Sequence, residues 1–406
     1  MRPVDPLAVP ERGAWAAAIR RGAMGLAALC GALVAWSLWR DLARGGDPWR
    51  QGDWLINGGA GAIRRGPFGS AMIALSDLVG ASPVGVVVAV QFVLFAAALA
   101  ILLAVFARLL ARPVWALLLT SPAFFVLFWA ARPEAGMRKE LLAFAAMALM
   151  FAVPARPGGG RLLLCLTSAV LFVVACVAHE AMAFLAPAYG VLFIVLVRPD
   201  RRAAAFRVGA LVFVGAIAAA FWFAWTHSGT ADAGAICAPL LARGADGGLC
   251  IGAIEWMAYD LGFGRDLLGD LLNKRSGAAF LLAYGLAGVP LLYLIALHDR
   301  WAVMLGLTVV LLVPLLPLYA VAVDWGRWMS LHVTAVGMIL MALALRGDVV
   351  QVRAPRMWLV AAICLANLFW VPDHVIGLVP GGLMRELAIQ VGVVAPPAPV
   401  VPGAAA

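Results

Sequence analysis

The sequence predicts an all-α polytopic integral membrane protein, and three observations carry that expectation. Of 406 residues, 65% are hydrophobic and only 13% are charged, with a mean hydropathy of +0.99; soluble domains sit nearer one half and about one quarter. The apolar residues gather in runs long enough to cross hydrocarbon, which takes roughly 20 residues of helix. The basic residues lie in short segments between those runs, where they set orientation and meet anionic headgroups. The net charge of +9 therefore points to membrane lipids as partners, not to nucleic acid.

In chain order, Met1 to Arg21 carries Arg2, Arg12, Arg20 and Arg21 ahead of an apolar run ending at Trp39. No small-residue cleavage site follows, so this segment reads as a retained signal-anchor with a cytoplasmic basic N-terminus, 1–21. Spans are expected at 22–39, 84–107, 113–131, 139–155, 162–178, 181–197, 208–226, 277–297, 301–322, 328–345 and 356–372. That makes about 11 transmembrane helices within 22–372, with the N-terminus inside and the C-terminus outside. The inner loops then hold Arg108 and Arg112, Arg156 and Arg161, Arg198 to Arg207, Arg300, and Arg346 to Arg356, as the positive-inside rule requires. The external loops are 40–83 and 227–276, and an external tail, 373–406, is expected to be disordered from about 391. Residues 162–197 lack a Gly or Pro turn signal at His179-Glu180. Two spans are nevertheless expected there, because a single one would put Arg198 to Arg207 outside. Cys237 and Cys250 share an external loop and can form a disulfide in an oxidising compartment; two free thiols are the alternative.

The external side collects a mixed set of ionisable residues, whereas the inner loops carry Arg with scattered acids. The first loop has Asp53, and its Arg40, Arg44, Arg50, Arg64 and Arg65 run against the topological preference, which suits an anionic ligand. A helix start carries Arg138, Lys139 and Glu140; these cations can hold a diphosphate, Arg through its planar fork and Lys as a compact charge. The alternative is a simple ion pair of Glu134 with Arg138, four residues apart. His179 and Glu180 sit between apolar runs, where ionisable groups are costly and tend to be functional, and a His near neutrality can take a proton from a hydroxyl. Asp324 and Arg327 flank Gly326 in a tight external turn, with His332 beyond and Asp260 in the long loop. Asp53 can act as a general base or ligate a divalent metal, unless Trp54, Leu55 and Ile56 merely dip into headgroups. No P-loop, dinucleotide fingerprint, zinc signature or Ser nucleophile elbow is present.

The order Arg138-Lys139-Glu140-Leu141-Leu142-Ala143, then Ala178-His179-Glu180, then Asp324-Trp325-Gly326-Arg327 resembles the EpsG-like and Wzy-like bacterial polysaccharide polymerases. Asp53 in Asp-Trp-Leu-Ile-Asn after the first span is similar to the first-loop acid of the wider C-type membrane glycosyltransferases. Residue by residue, the resemblance carries over Arg138 and His179 from the polymerase pattern and Asp53 from the transferase pattern. Together with the other ionisable residues of the external side, catalysis is expected of Asp53, His179 and Glu180, and substrate binding of Arg64, Arg65, Arg138, Lys139, Asp324 and Arg327. The resemblance implies a polyprenyl-diphosphate-linked saccharide as donor, a glycan as acceptor, and a site at the outer face of the bacterial inner membrane. A divalent metal follows only from the Asp53 transferase pattern; the polymerase pattern implies none. A transporter or flippase of lipid-linked saccharides is the rival expectation. Transporters place ionisable groups near the midplane with repeat symmetry, and this sequence shows neither.

Overall fold

The computed structural model describes residues 14–154, 158–199, 203–273, 276–373 and 377–395. Arg2, Arg12, Arg156, Asp200, Arg201, Arg202 and the tail beyond 395 lie outside them. The described residues are predominantly helical. Among them, eight helices are long and apolar enough to cross a membrane: Ala14–Ala43, Pro83–Leu109, Gly159–Ala178, Glu180–Val197, Ala204–Thr226, Gly277–Ala296, Trp301–Val321 and Trp325–Leu345. Their outward residues are large and apolar, for example Leu163, Val170, Leu211 and Trp222, as lipid contact demands.

The other three expected spans, 113–131, 139–155 and 356–372, are not single long helices. Residues 113–131 split into Pro113–Trp115, Ala116–Leu119 and Phe125–Ala131. The Ser121-Pro122 pair interrupts the helix, because proline cannot supply the N–H that would continue the ladder. Residues 139–155 hold only Glu140–Leu149 and one tighter turn to Ala152, and 356–372 hold Met357–Ala366 and a turn to Phe369. The final stretch ends in a small antiparallel hairpin, Trp370–Pro372 against Leu378–Pro380. Broken backbone at membrane depth is tolerated only where protein surrounds it. Residues 113–131 are almost entirely buried, and the freed N–H of Phe125 donates to Thr334 Oγ1 at 3.0 Å.

That threonine belongs to Trp325–Leu345, which is buried along nearly its whole length and forms the central pillar. It packs against Ala186–Val197 and Ser276–Ala296, while Ala14–Ala43 packs against Phe125–Ala131 and Pro83–Leu109. Residues 159–197 are indeed a helical hairpin. Ser168 Oγ meets Tyr189 OH at 2.8 Å, the Phe172 and Tyr189 rings lie 4.5 Å apart, and Arg161 bonds the Val197 carbonyl. The turn is His179 itself, in extended conformation (φ −151°, ψ 116°).

The 40–83 segment, expected from the sequence to be an external loop, is folded, not loose. It contains the helices Arg50–Trp54 and Gly66–Val79. Trp54, Leu55 and Ile56 are fully buried, so the headgroup-dipping alternative does not hold. A side chain at Gly69 would strike the Ile56 carbonyl at 1.9 Å, and one at Gly59 the Ala235 carbonyl at 2.2 Å. These two glycines let the loop be gripped on both sides. The second grip comes from the 227–276 segment, where Cys237 and Cys250 are disulfide-bonded with Cα atoms 6.0 Å apart. Asn57 Nδ2 donates to the Ile236 carbonyl at 2.7 Å, and the Arg64 N–H donates to the His227 carbonyl at 3.1 Å.

Candidate functional site

Where the first loop, the 132–140 turn, the 179–180 turn and the top of the central helix meet, their ionisable side chains form one cluster. Asp53 is buried, with Oδ1 3.6 Å from both Lys139 Nζ and Arg65 Nη1. Arg65 reaches on to Glu180 in a bidentate fork, at 2.9 and 2.7 Å. Arg64 Nη1 lies 3.6 Å from the same carboxylate. On the other side Arg327 pairs with Glu140 and, at 2.7 Å, with Asp324. All nine residues expected from the sequence, Asp53, Arg64, Arg65, Arg138, Lys139, His179, Glu180, Asp324 and Arg327, lie in or beside this cluster.

Arg138 is the exception within the cluster. It is 8% exposed, its Nε has no hydrogen-bond partner, and it is in no ion pair among the described residues. Glu134 pairs with Arg132 at 2.8 Å instead, so the expected alternative of a Glu134–Arg138 bridge is not formed. The Arg138 guanidinium lies over the ring of Trp49, 5.2 Å from its centroid. Beside it, Lys139 Nζ and Asp53 Oδ2 are also buried and lack hydrogen bonds. A buried charge is normally paired; cations left short of acceptors can accommodate an anion.

The backbone under these groups is held against its own preference. Arg65 (φ 66°) and Met137 (φ 56°) adopt left-handed conformations, each costing of order 1–3 kcal/mol for a non-glycine residue. The Met137 carbonyl accepts from Trp54 Nε1 at 3.2 Å and from Gln91 Nε2 at 2.7 Å, and Gln91 accepts in turn from Gln51 at 2.8 Å. This buried chain fixes the turn that presents Arg138 and Lys139. Sequence reasoning missed it, although a lone Gln91 inside an apolar span is a readable signal. It also counted Arg50 among the anion-attracting residues of the loop. Arg50 is instead structural, paired with Asp41 at 2.6 Å and bonded to Ser37.

Electrostatics follow from the packing. Burial alone would raise the Asp53 carboxyl, but Lys139, Arg65, His179 and Arg138 outweigh it and hold it near 2. Burial pushes Lys139 down to about 8, against the pull of Asp53. Burial and Arg65 push His179 down to about 3, so the imidazole is neutral. Its Nδ1 accepts from the Ala181 N–H at 3.2 Å, which leaves the proton on Nε2. A neutral ring in that tautomer offers an N–H donor at Nε2 while its Nδ1 lone pair is engaged by Ala181.

A divalent metal does not fit. Asp53 faces two cations at 3.6 Å, and among the described residues no three His, Cys, Asp or Glu gather in a metal-binding group. A separate open depression of about 400 Å³, lined by Ile194, Val195, Arg198, Pro199 and Asp348, lies at the other end of the 186–197 helix, away from these charges. Comparisons with protein-family models, curated proteins and solved structures give no match, so the reading of this site rests on its own geometry.

Proposed function

We propose that this protein is a membrane glycosyltransferase or polysaccharide polymerase that uses a polyprenyl-diphosphate-linked sugar donor at the outer face of a bacterial inner membrane. The observation that carries the proposal is the buried, unpaired Arg138 beside the under-bonded Lys139. Together they offer a dry, preorganised seat for a diphosphate, and such charges act most strongly where negative charge develops on a leaving group. Asp53 Oδ2 is the free acceptor for the proton of the attacking hydroxyl. As the O–H proton passes to Asp53, the oxygen bonds the anomeric carbon and the C–O bond to phosphate breaks. The diphosphate leaves with that electron pair, onto Arg138 and Lys139. An arriving diphosphate also draws Lys139 and Arg65 away from Asp53, which raises the carboxylate's basicity when substrate is present. The His179 Nε2–H supplies a donor at the same wall.

Transport is less well supported. The interrupted stretch 113–131 is the kind of broken helix that lines transport sites. Here, however, it is buried among apolar side chains and Thr334 satisfies its free N–H, so it offers no charged group to a passing ion or saccharide. The test of the proposal is Arg138→Gln. Glycan product in cells, or transfer from a lipid-linked donor by purified protein, should fall about 10²- to 10³-fold at unchanged protein level. Normal product would overturn the assignment.

A further inference from the structure

Trp49, whose ring lies over Arg138, is also the inner end of a run of aromatic rings. Its centroid is 5.7 Å from that of Trp256, edge to face. Trp256 lies 5.9 Å from Tyr259 and 5.6 Å from Phe263, again edge to face, and Tyr259 stacks on Phe263 at 4.4 Å. The run passes outward from the buried guanidinium through three half-buried rings to Phe263, which is 37% exposed. It is built on a rigid base. The Ala253 N–H donates to the Pro48 carbonyl at 3.0 Å, a side chain at Gly252 would strike that carbonyl at 2.6 Å, and Cys250 of the disulfide lies just upstream. Trp256 Nε1 is a buried donor with no acceptor among the described residues; Glu255 and Asp260 adjoin the rings in sequence, and Asp260 Oδ1 accepts from the Phe263 N–H at 2.9 Å.

We propose that Trp49, Trp256, Tyr259 and Phe263 form a saccharide-binding subsite, which receives the sugar units of a ligand whose anionic end sits on Arg138. This rests on the transferase reading above, and adds where the glycan lies. A pyranose ring presents a face of C–H bonds that suits the negative π face of an aromatic ring, while its hydroxyls seek carboxylates and N–H donors at the rim. The run supplies both. Lipid acyl chains would meet the Asp260 carboxylate at Phe263. A nucleobase needs a slot between parallel rings, and the one parallel pair, Tyr259 and Phe263, is already in contact at 4.4 Å.

The experiment uses the full-length protein in lipid nanodiscs with two probes. Neutral hexasaccharides of glucose, galactose, mannose and N-acetylglucosamine are followed by saturation-transfer NMR, which reports sugar C–H protons against protein protons; inorganic pyrophosphate is followed by calorimetry. At least one hexasaccharide should bind, and Trp256→Leu with Tyr259→Leu should weaken it by about tenfold or more, while Trp256→Phe retains it. Pyrophosphate binding should survive the leucine pair and be lost in Arg138→Gln, which in turn leaves the hexasaccharide signal. No binding by any hexasaccharide, or binding indifferent to the leucine pair, would overturn the subsite and leave the diphosphate seat standing. Leucine variants that lower thermal stability in nanodiscs without changing saccharide binding would reduce the rings to interfacial anchors. Loss of a uridine diphosphate signal, but not of the pyrophosphate signal, in the leucine pair would replace the saccharide by a nucleotide. If pyrophosphate fails to bind while a hexasaccharide does, the transferase reading fails and the subsite remains.

Discussion

Arg138 and Arg65 are both buried arginines of one cluster, yet they should answer mutation in opposite ways. Arg65 is the bidentate partner of Glu180 and a neighbour of Asp53. Arg65→Met would leave buried carboxylates uncompensated and should destabilise the protein by about 3–5 kcal/mol. Arg138 is in no direct ion pair among the described residues and acts on Asp53 only at longer range, so Arg138→Met removes a desolvated charge without breaking a contact pair. Its melting temperature in nanodiscs should stay level or rise while activity is lost. A fall comparable to that of Arg65→Met would show that Arg138 is structural. Lys139 gives a pH prediction whose sign is fixed. Its ammonium is held down to about 8 by burial, so the site loses one positive charge as pH rises through that value. Pyrophosphate's own gain of negative charge over the same range works the other way and is common to every variant. Relative to Lys139→Met, wild-type affinity should therefore fall between pH 7 and 9. The chemical identity of these residues was legible in the sequence because mixed acids and bases at one face of an apolar chain are conspicuous. What distinguishes Arg138 from Arg65 was not, since pairing depends on which turn each carboxylate faces.

At the scale of elements, the long lipid-facing helices were readable because lipid contact demands an unbroken apolar run. The inner elements were not, because protein neighbours can replace a helix's own hydrogen bonds. Residues 113–131 have the composition of a span and the backbone of three pieces, and Thr334 is what makes that possible. Thr334→Val keeps the shape and removes the acceptor from the Phe125 N–H. The loss of that buried bond should cost about 1–3 kcal/mol, seen as a lower unfolding midpoint and faster amide exchange at Phe125. Exchange unchanged at Phe125 would mean that another group satisfies it. The helix Gly66–Val79 was missed for the opposite reason. Its signals, Pro67 at the start and Gly80 in a left-handed cap, were present, but the surrounding Gly and Arg residues read as loop. The turn at His179 carried no Gly or Pro, and a 3-10 turn beginning at Glu180 needs neither.

For the whole molecule, the disulfide links the fold of the charged cluster to a prediction of which side of the membrane it faces. Cys237 and Cys250 close a short loop that holds the 227–276 segment against the strand of chain carrying Asp53, Arg64 and Arg65, through Asn57, Gly59 and Pro48. Such a bond persists in an oxidising compartment and not in the cytoplasm, so the cluster should face outward, and the chain's basic connections inward. Cleaving a loop of this length removes about 3 kcal/mol of stabilisation, and the loss should fall on the site before it reaches the lipid-facing bundle, which the disulfide does not touch. In intact cells a membrane-impermeant maleimide should leave the pair unlabelled until a reductant is added, and then label it. With Cys237→Ser and Cys250→Ser together, pyrophosphate binding should weaken severalfold while the detergent-extracted helical content stays unchanged. Labelling that appears only after the cells are opened would place the loop inside, and with it the whole cluster, and the diphosphate of an outward-facing lipid carrier could no longer be its ligand.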